Sequence, residues 1–193
     1  GTYLENPLKI FAFNEGGMSF HGGLIGALIA GMAAARLTRI PYLTLADLGA
    51  IAAPVGLFFG RLANFVNGEL WGAPTDLPWG VVFGGAAGDI PRHPTQLYEA
   101  LLEGAIIFSV LLILARKVPP RSRGTFIGIF LILYGLFRIL IEFVRQPDAQ
   151  LGYLFGDWLT MGMVLSVPLV VVGIVLLSYA HIRQLPEEGV SVR

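Results

Sequence analysis

The chain is built from apolar runs about 20 residues long, the length that carries an α-helix across a hydrocarbon core about 30 Å thick. Five such runs can be drawn, over 18–37, 43–66, 95–115, 124–144 and 154–180. Neither the alternation nor the short segments of a transmembrane barrel recur, so helices are the spanning element. A charged fraction of 13% and a mean hydropathy of +0.71 agree, since soluble proteins carry about 25% charged residues. The expectation is an all-α, polytopic integral membrane protein with about five transmembrane helices. It is read as a single transmembrane helical domain over 1–193, with an extracytoplasmic loop at about 67–94.

The absence of cysteine, 0 in the whole chain, excludes a disulfide, a cysteine zinc site and a nucleophilic thiol; sulfur chemistry here must use a substrate's sulfur. A formal net charge of +0 gives no field that would favour nucleic acid. No metal and no cofactor is expected. Arg36, Arg39, Arg116, Lys117, Arg121, Arg123, Arg183 and Arg193 fall at span ends that share one side, and the positive-inside rule assigns that side and the C-terminus to the cytoplasm. The start "GTYLENPLKIFAFNEGG", with no initiator Met, reads as the beginning of a fragment whose N-terminal spans are missing.

A charged side chain at membrane depth costs about 2.5–3.5 kcal/mol, so each one asks for a partner or a function. Three clusters qualify, all toward the outward ends of their spans. His21 opens "HGGLIGALIAG", where Gly22 and Gly23 leave room beside it and Gly26, Ala30 and Ala34 suit a packing seam. In "GRLANFVNGELWG", Arg61 and Asn64 share a helix face, Asn67-Gly68 reads as a helix stop, and Glu69, Trp71 and Gly72 follow in a loop. Snorkelling explains Arg61 alone, yet leaves Asn64 and Glu69 without a reason. In "YGLFRILIEFVRQPD", Tyr134, Arg138 and Glu142 form an i,i+4 stripe with Arg145 one turn farther on. Arg138 and Glu142 can also be a purely structural pair. "HPTQLYEALLEG" reads as a helix start capped by Thr95, with Glu99 and Glu103 able either to pair with cations or to line a cavity. Trp71, Trp79 and Trp158 suit an interfacial belt.

Guanidinium groups bind phosphate bidentately and keep their charge when desolvated. Arg61 and Arg138 at headgroup depth, with asparagines and a histidine beside them, suit an anionic phospholipid headgroup and would stabilise charge on a departing phosphate. An enzyme acting on phospholipid is the leading class. A small membrane transporter or channel for an anionic substrate is the alternative, although the charges gather toward one face and no repeat is evident. A membrane hydrolase would need a nucleophile–base pair, and Ser19 and His21 do not face each other on a helix.

The four stretches "HGGLIG" at 21–26, "GRLANFVNGELWG" at 60–72, "HPTQLYEALLEG" at 93–104 and "YGLFRILIEFVRQPDAQLG" at 134–152 together resemble the phosphatidylglycerol–prolipoprotein diacylglyceryl transferase family. The second is that family's signature, and the blocks stand in the family's order. Upstream sequence of the family, with a functional tyrosine, has no counterpart here. The resemblance implies transfer of an sn-1,2-diacylglyceryl group from phosphatidylglycerol to the lipobox cysteine of a prolipoprotein signal peptide, with release of glycerol 1-phosphate. It also implies the lipid bilayer of the bacterial inner membrane as the setting and its periplasmic side for the chemistry. In that frame His21 is the expected base, Arg61 and Arg138 hold the phosphate, and Asn64, Gly72 and Tyr134 contribute to the substrate site. Glu69 and Glu142 are expected to fix the arginines.

Overall fold

The computed structural model describes residues 20–117, 122–146, 152–156 and 158–183, which fall into two compact units divided between Leu45 and Ala46. In the first unit, α1 (Phe20–Thr38) ends at a sharp turn where Arg39 takes φ +60°. Its apolar portion Ile25–Thr38 is shorter than a full span. The close-packed glycine of this unit is Gly31, where an added Cβ would stand 3.2 Å from the Tyr42 ring. The second unit holds most of α2 (Tyr42–Val66) and the helices that follow.

Helix α3 starts as an α-helix over Thr95–Glu99, widens to a π-helix over Ala100–Ile106 and returns to α geometry over Ile107–Lys117. Helices α4 (Thr125–Glu142) and α5 (Met161–Arg183) complete the set. Among the described residues, four helices are long and apolar enough to cross a membrane: α2, Thr95–Arg116 of α3, α4 and α5. With the shorter α1, the chain is a polytopic helical protein. The expected last span starts too early, because the residues before Met161 form a small antiparallel hairpin of β1 (Tyr153–Phe155) and β2 (Leu159–Thr160), pairing Tyr153 with Thr160.

Contacts within the second unit fix the helix directions. Asp47, near the start of α2, accepts the backbone N–H of Gly124 at 2.7 Å and of Ile127 at 2.8 Å, and so caps α4 from another helix. At their other ends, Arg61 of α2 and Arg138 of α4 meet the same carboxylate on α3. Helices α2 and α4 therefore run parallel, and α3 runs against both. Helix α5 returns antiparallel to α4: Gly128 faces Gly173 and Leu177, Gly135 faces Ser166 and Val170, and Gly162 faces Glu142. Small residues at these points let the two backbones approach closely, as helix association in lipid requires.

The polarity of this unit is turned inward. Ala50, Ile107, Leu111 and Phe126 form its apolar core. Thr95, Gln96, Glu99, Glu103 and Glu142 are also buried, whereas Leu48, Val55 and Phe59 of α2 and Val167, Val171 and Val175 of α5 are exposed. Apolar chains outside and charges inside suit hydrocarbon as the surrounding solvent.

Candidate active site

The charged residues gather at one end of the second unit, where α2 and α4 finish and α3 begins. Two arginines lie on helices whose C-terminal dipoles favour cations, and Glu99 lies near the N-terminus of α3, which favours an anion. Glu99 is the hub. Its Oε2 lies 3.1 Å from Arg61 Nε, and its Oε1 lies 2.6 Å from Arg138 Nη1 and 2.9 Å from Arg145 Nη1. Three guanidinium groups from separate parts of the chain thus share one fully buried carboxylate.

Two further carboxylates complete the cluster. Glu142 pairs with Arg138 Nη2, lies 3.8 Å from Arg145 Nε, and accepts the Thr160 hydroxyl at 2.5 Å. Glu103, one turn past Glu99 and within the π segment, reaches among the described residues only Arg61 Nη2, at 3.8 Å. The side chains of Arg61, Arg138 and Arg145 stay 18%, 15% and 11% exposed, against 0% for both Glu99 and Glu103 and 4% for Glu142. The arginine side chains are the partly accessible members of the cluster and the carboxylates are buried.

Three of the four sequence blocks, 60–72, 93–104 and 134–152, position parts of this cluster. As expected from Asn67-Gly68, α2 stops in a left-handed turn: Gly68 takes φ +65° and its N–H donates to Phe65 O at 3.1 Å. Asn64 Nδ2 and Asn67 Nδ2 donate to Glu69 Oε1 at 2.8 and 3.2 Å. Those bonds hold the Glu69 carboxyl below the usual carboxylate range, the Asn64 amide being the larger cause and Asn67 the next. Glu69 therefore braces the two asparagines, and the expectation that it fixes the arginines is not met. Glu142 does pair with them, at the i,i+4 spacing its sequence position predicts.

Thr95 is not the helix cap. It is the first helical residue, and its hydroxyl reaches across to Leu70 O at 3.1 Å, while Gln96 Nε2 donates to Glu69 O at 2.7 Å. The start of α3 thereby ties down the backbone that follows α2. Arg145 also departs from expectation, because α4 ends at Glu142 and helix spacing no longer governs. It is placed by a bridge to Gly72, whose N–H donates to His93 O at 2.9 Å while Ala73 N–H donates to Val144 O at 2.9 Å. A Cβ on Gly72 would lie 2.6 Å from both His93 Cβ and Val144 O, so only glycine lets these backbones meet. Arg92 clamps the same loop, donating to Ala87 O at 2.8 Å, Gly72 O at 3.3 Å and Gln146 Oε1 at 3.2 Å.

Tyr134 lies half-buried on α4, stacked on Phe130 with ring centroids 5.7 Å apart. The backbone of His21 belongs to α1, but its side chain lies outside the described residues. Glu99, Glu103, Arg145 and Thr160 are the members of the cluster that sequence reasoning left unassigned. A signal for the first two existed: α3 carries two membrane-depth carboxylates and no cation within a turn of them, while Arg61 on α2 has no carboxylate within a turn of it. Nothing in the sequence marks Thr160, which a hairpin delivers. No group of three or more metal-binding side chains occurs among the described residues.

Inward polarity, apolar exteriors and a buried arginine–carboxylate cluster at one end define a multi-pass membrane protein with an internal polar site. The family model described as prolipoprotein diacylglyceryl transferase matches residues 2–179, and the chain belongs to that family. A relative from Methylocella silvestris is 52% identical over 182 residues, covering 94% of this chain and 66% of the relative. Relatives from Geobacter sulfurreducens and Bradyrhizobium diazoefficiens are 54% and 48% identical, covering 89% and 99% of this chain and 65% and 68% of their own lengths. All three carry the name phosphatidylglycerol–prolipoprotein diacylglyceryl transferase. The chain spans about two thirds of the length of these relatives. Their names are those of transferases and not of transporters, and nothing in the comparisons favours the transport reading.

Proposed function

We propose that this protein transfers the sn-1,2-diacylglyceryl group of phosphatidylglycerol to the lipobox cysteine of a prolipoprotein and releases glycerol 1-phosphate. The observation that carries the reading is the convergence of Arg61, Arg138 and Arg145 on Glu99, with the arginine side chains partly exposed and the carboxylate buried. A carboxylate and a phosphodiester each offer two oxygens to the planar guanidinium fork, so the arginines that hold Glu99 are groups that can also engage a headgroup phosphate. The family membership supplies the substrate class.

In this reading the thiol of the prolipoprotein loses its proton to a base, for which His21 is the candidate, because only the thiolate attacks well. The sulfur forms a bond to the glyceryl carbon that carries the phosphate. The carbon–oxygen bond breaks, and its electron pair leaves on the phosphate oxygen of glycerol 1-phosphate. Arg61 and Arg138 stabilise that charge in a site of low effective dielectric. Asn64, braced by Glu69, orients the headgroup; Tyr134 lines the site, Gly72 sets Arg145, and Glu142 holds Arg138. The setting is the bacterial inner membrane, with the site on the periplasmic side and the C-terminus in the cytoplasm, as the distribution of Lys and Arg supports.

The test is to incubate the full-length protein with phosphatidylglycerol and a lipobox peptide. The diacylglyceryl thioether and glycerol 1-phosphate are expected together, and a peptide with serine in place of the lipobox cysteine gives neither. Arg61→Lys keeps the charge and loses the planar fork, so transfer falls by about a hundredfold or more while membrane insertion stays normal. Wild-type transfer by that variant would remove Arg61 from the phosphate site. His21→Gln with an unaltered rate and pH profile would remove His21 as the base.

A further inference from the structure

Glu103 is the one member of the cluster whose environment does not suit an ion. Its side chain is 0% exposed, and neither carboxyl oxygen has a hydrogen-bond partner among the described residues. Its ion-pair contact with Arg61 is long, at 3.8 Å, while the same guanidinium approaches Glu99 to 3.1 Å. Glu99, by contrast, is shared by three arginines, and Glu142 takes Arg138, Arg145 and the Thr160 hydroxyl. The charged and titratable groups acting on Glu103 are Glu99 on its own helix, Arg61 from α2, and Arg138, Arg145 and the Tyr134 hydroxyl from the α4 side. A buried carboxylate without hydrogen bonds is far more costly than the neutral acid, because the acid gives up much less hydration.

Resting on the phosphatidylglycerol reading above, we infer that Glu103 carries a proton and thereby sets the charge of the site. Three arginines and three carboxylates sum to zero when all are ionised. With Glu103 neutral, the sum is one positive charge. A phosphodiester headgroup carries one negative charge, so the loaded site is then neutral and its burial is not opposed by an uncompensated ion. Glu103 is in this sense a positioning residue for charge: it decides which class of anion the arginines accept, a monoanionic phosphodiester rather than a neutral or dianionic headgroup.

The experiment uses the full-length protein in nanodiscs. Infrared spectra of the wild type at neutral pH are expected to show the carbonyl band of a protonated carboxyl, and Glu103→Gln removes it. Should Glu103→Gln fail to insert, Glu103→Met serves for the same subtraction. The second readout is binding of dihexanoyl-phosphatidylglycerol as a function of pH. The wild type loses about tenfold in affinity as the band disappears with rising pH, because ionised Glu103 returns the site to zero charge. Glu103→Gln keeps a flat profile over the same range. A wild-type spectrum without the band at neutral pH, or the same pH dependence in both proteins, overturns the inference. A wild type that shows the band and its pH response, and binds the lipid, but makes no thioether overturns the transfer reaction and leaves the charge assignment standing.

Discussion

The polar side chains of this protein act in fixed pairs, and the pairs set what each residue can be asked to do. Glu69 owes its lowered pKa to Asn64 first and Asn67 second. Asn64→Ala should therefore move its titration upward, toward the ordinary carboxylate range, which carbon NMR of labelled glutamate reads directly. The sign follows from the shift: a carboxyl held low in the folded protein contributes stability above its unfolded pKa, and that contribution fades as pH falls through the folded value. Arg138 and Glu142 are coupled through direct contact and through Arg145, which meets Arg138 at Glu99 and also approaches Glu142. A double-mutant cycle of Arg138→Gln and Glu142→Gln should return an interaction energy of about 1–3 kcal/mol in thermal unfolding, and strict additivity would show the pair to be independent. The i,i+4 pair was legible in the sequence because helix geometry alone dictates it. Glu99 was not: its three partners come from residues 61, 138 and 145, and no local rule links those positions.

Among the elements, α3 is held against α2 by a close backbone contact. A Cβ at Gly104 would stand 2.7 Å from Phe58 Cβ and 2.9 Å from its Cα, so α2 and the π segment touch through backbone at the level of the site. Gly104→Val should cost about 1–3 kcal/mol in thermal stability by overpacking, with loss of substrate binding because Glu103 is the adjoining residue and Arg61 lies about one turn past Phe58. The π turn itself was invisible beforehand, since apolar periodicity does not distinguish it from α geometry over seven residues. At the other end of the unit, Asp47→Ala strips the N-terminus of α4 of its cap, and a loss of about 1–2 kcal/mol is expected in unfolding measurements. The spans of α2, α3 and α4 were legible to within about two residues because their apolar runs are bounded by polar turns. The start of α5 was not, because Tyr153, Leu154 and Phe155 are as apolar as the helix that follows them while lying in an exposed strand.

For the molecule as a whole, four alternating helices place the arginine cluster and the Asp47 cap at opposite ends of one bundle. If the cluster faces the periplasm, Asp76→Cys should react with an impermeant maleimide in intact spheroplasts, and Ser122→Cys only after permeabilisation; the reverse pattern would invert the topology. The chain's lack of cysteine makes each introduced thiol the reporter of its own position. The sharing of Glu99 among three guanidinium groups has a consequence for how the protein keeps its shape between reaction cycles. Glu99 is a built-in tenant that holds three mutually repelling cations together until a ligand comes. Evicting it with Glu99→Ala should leave a protein dependent on salts of the right shape: its melting temperature should climb with added sulfate far more than with equal ionic strength of chloride, a chemical rescue in which a borrowed oxyanion does the work of the missing side chain.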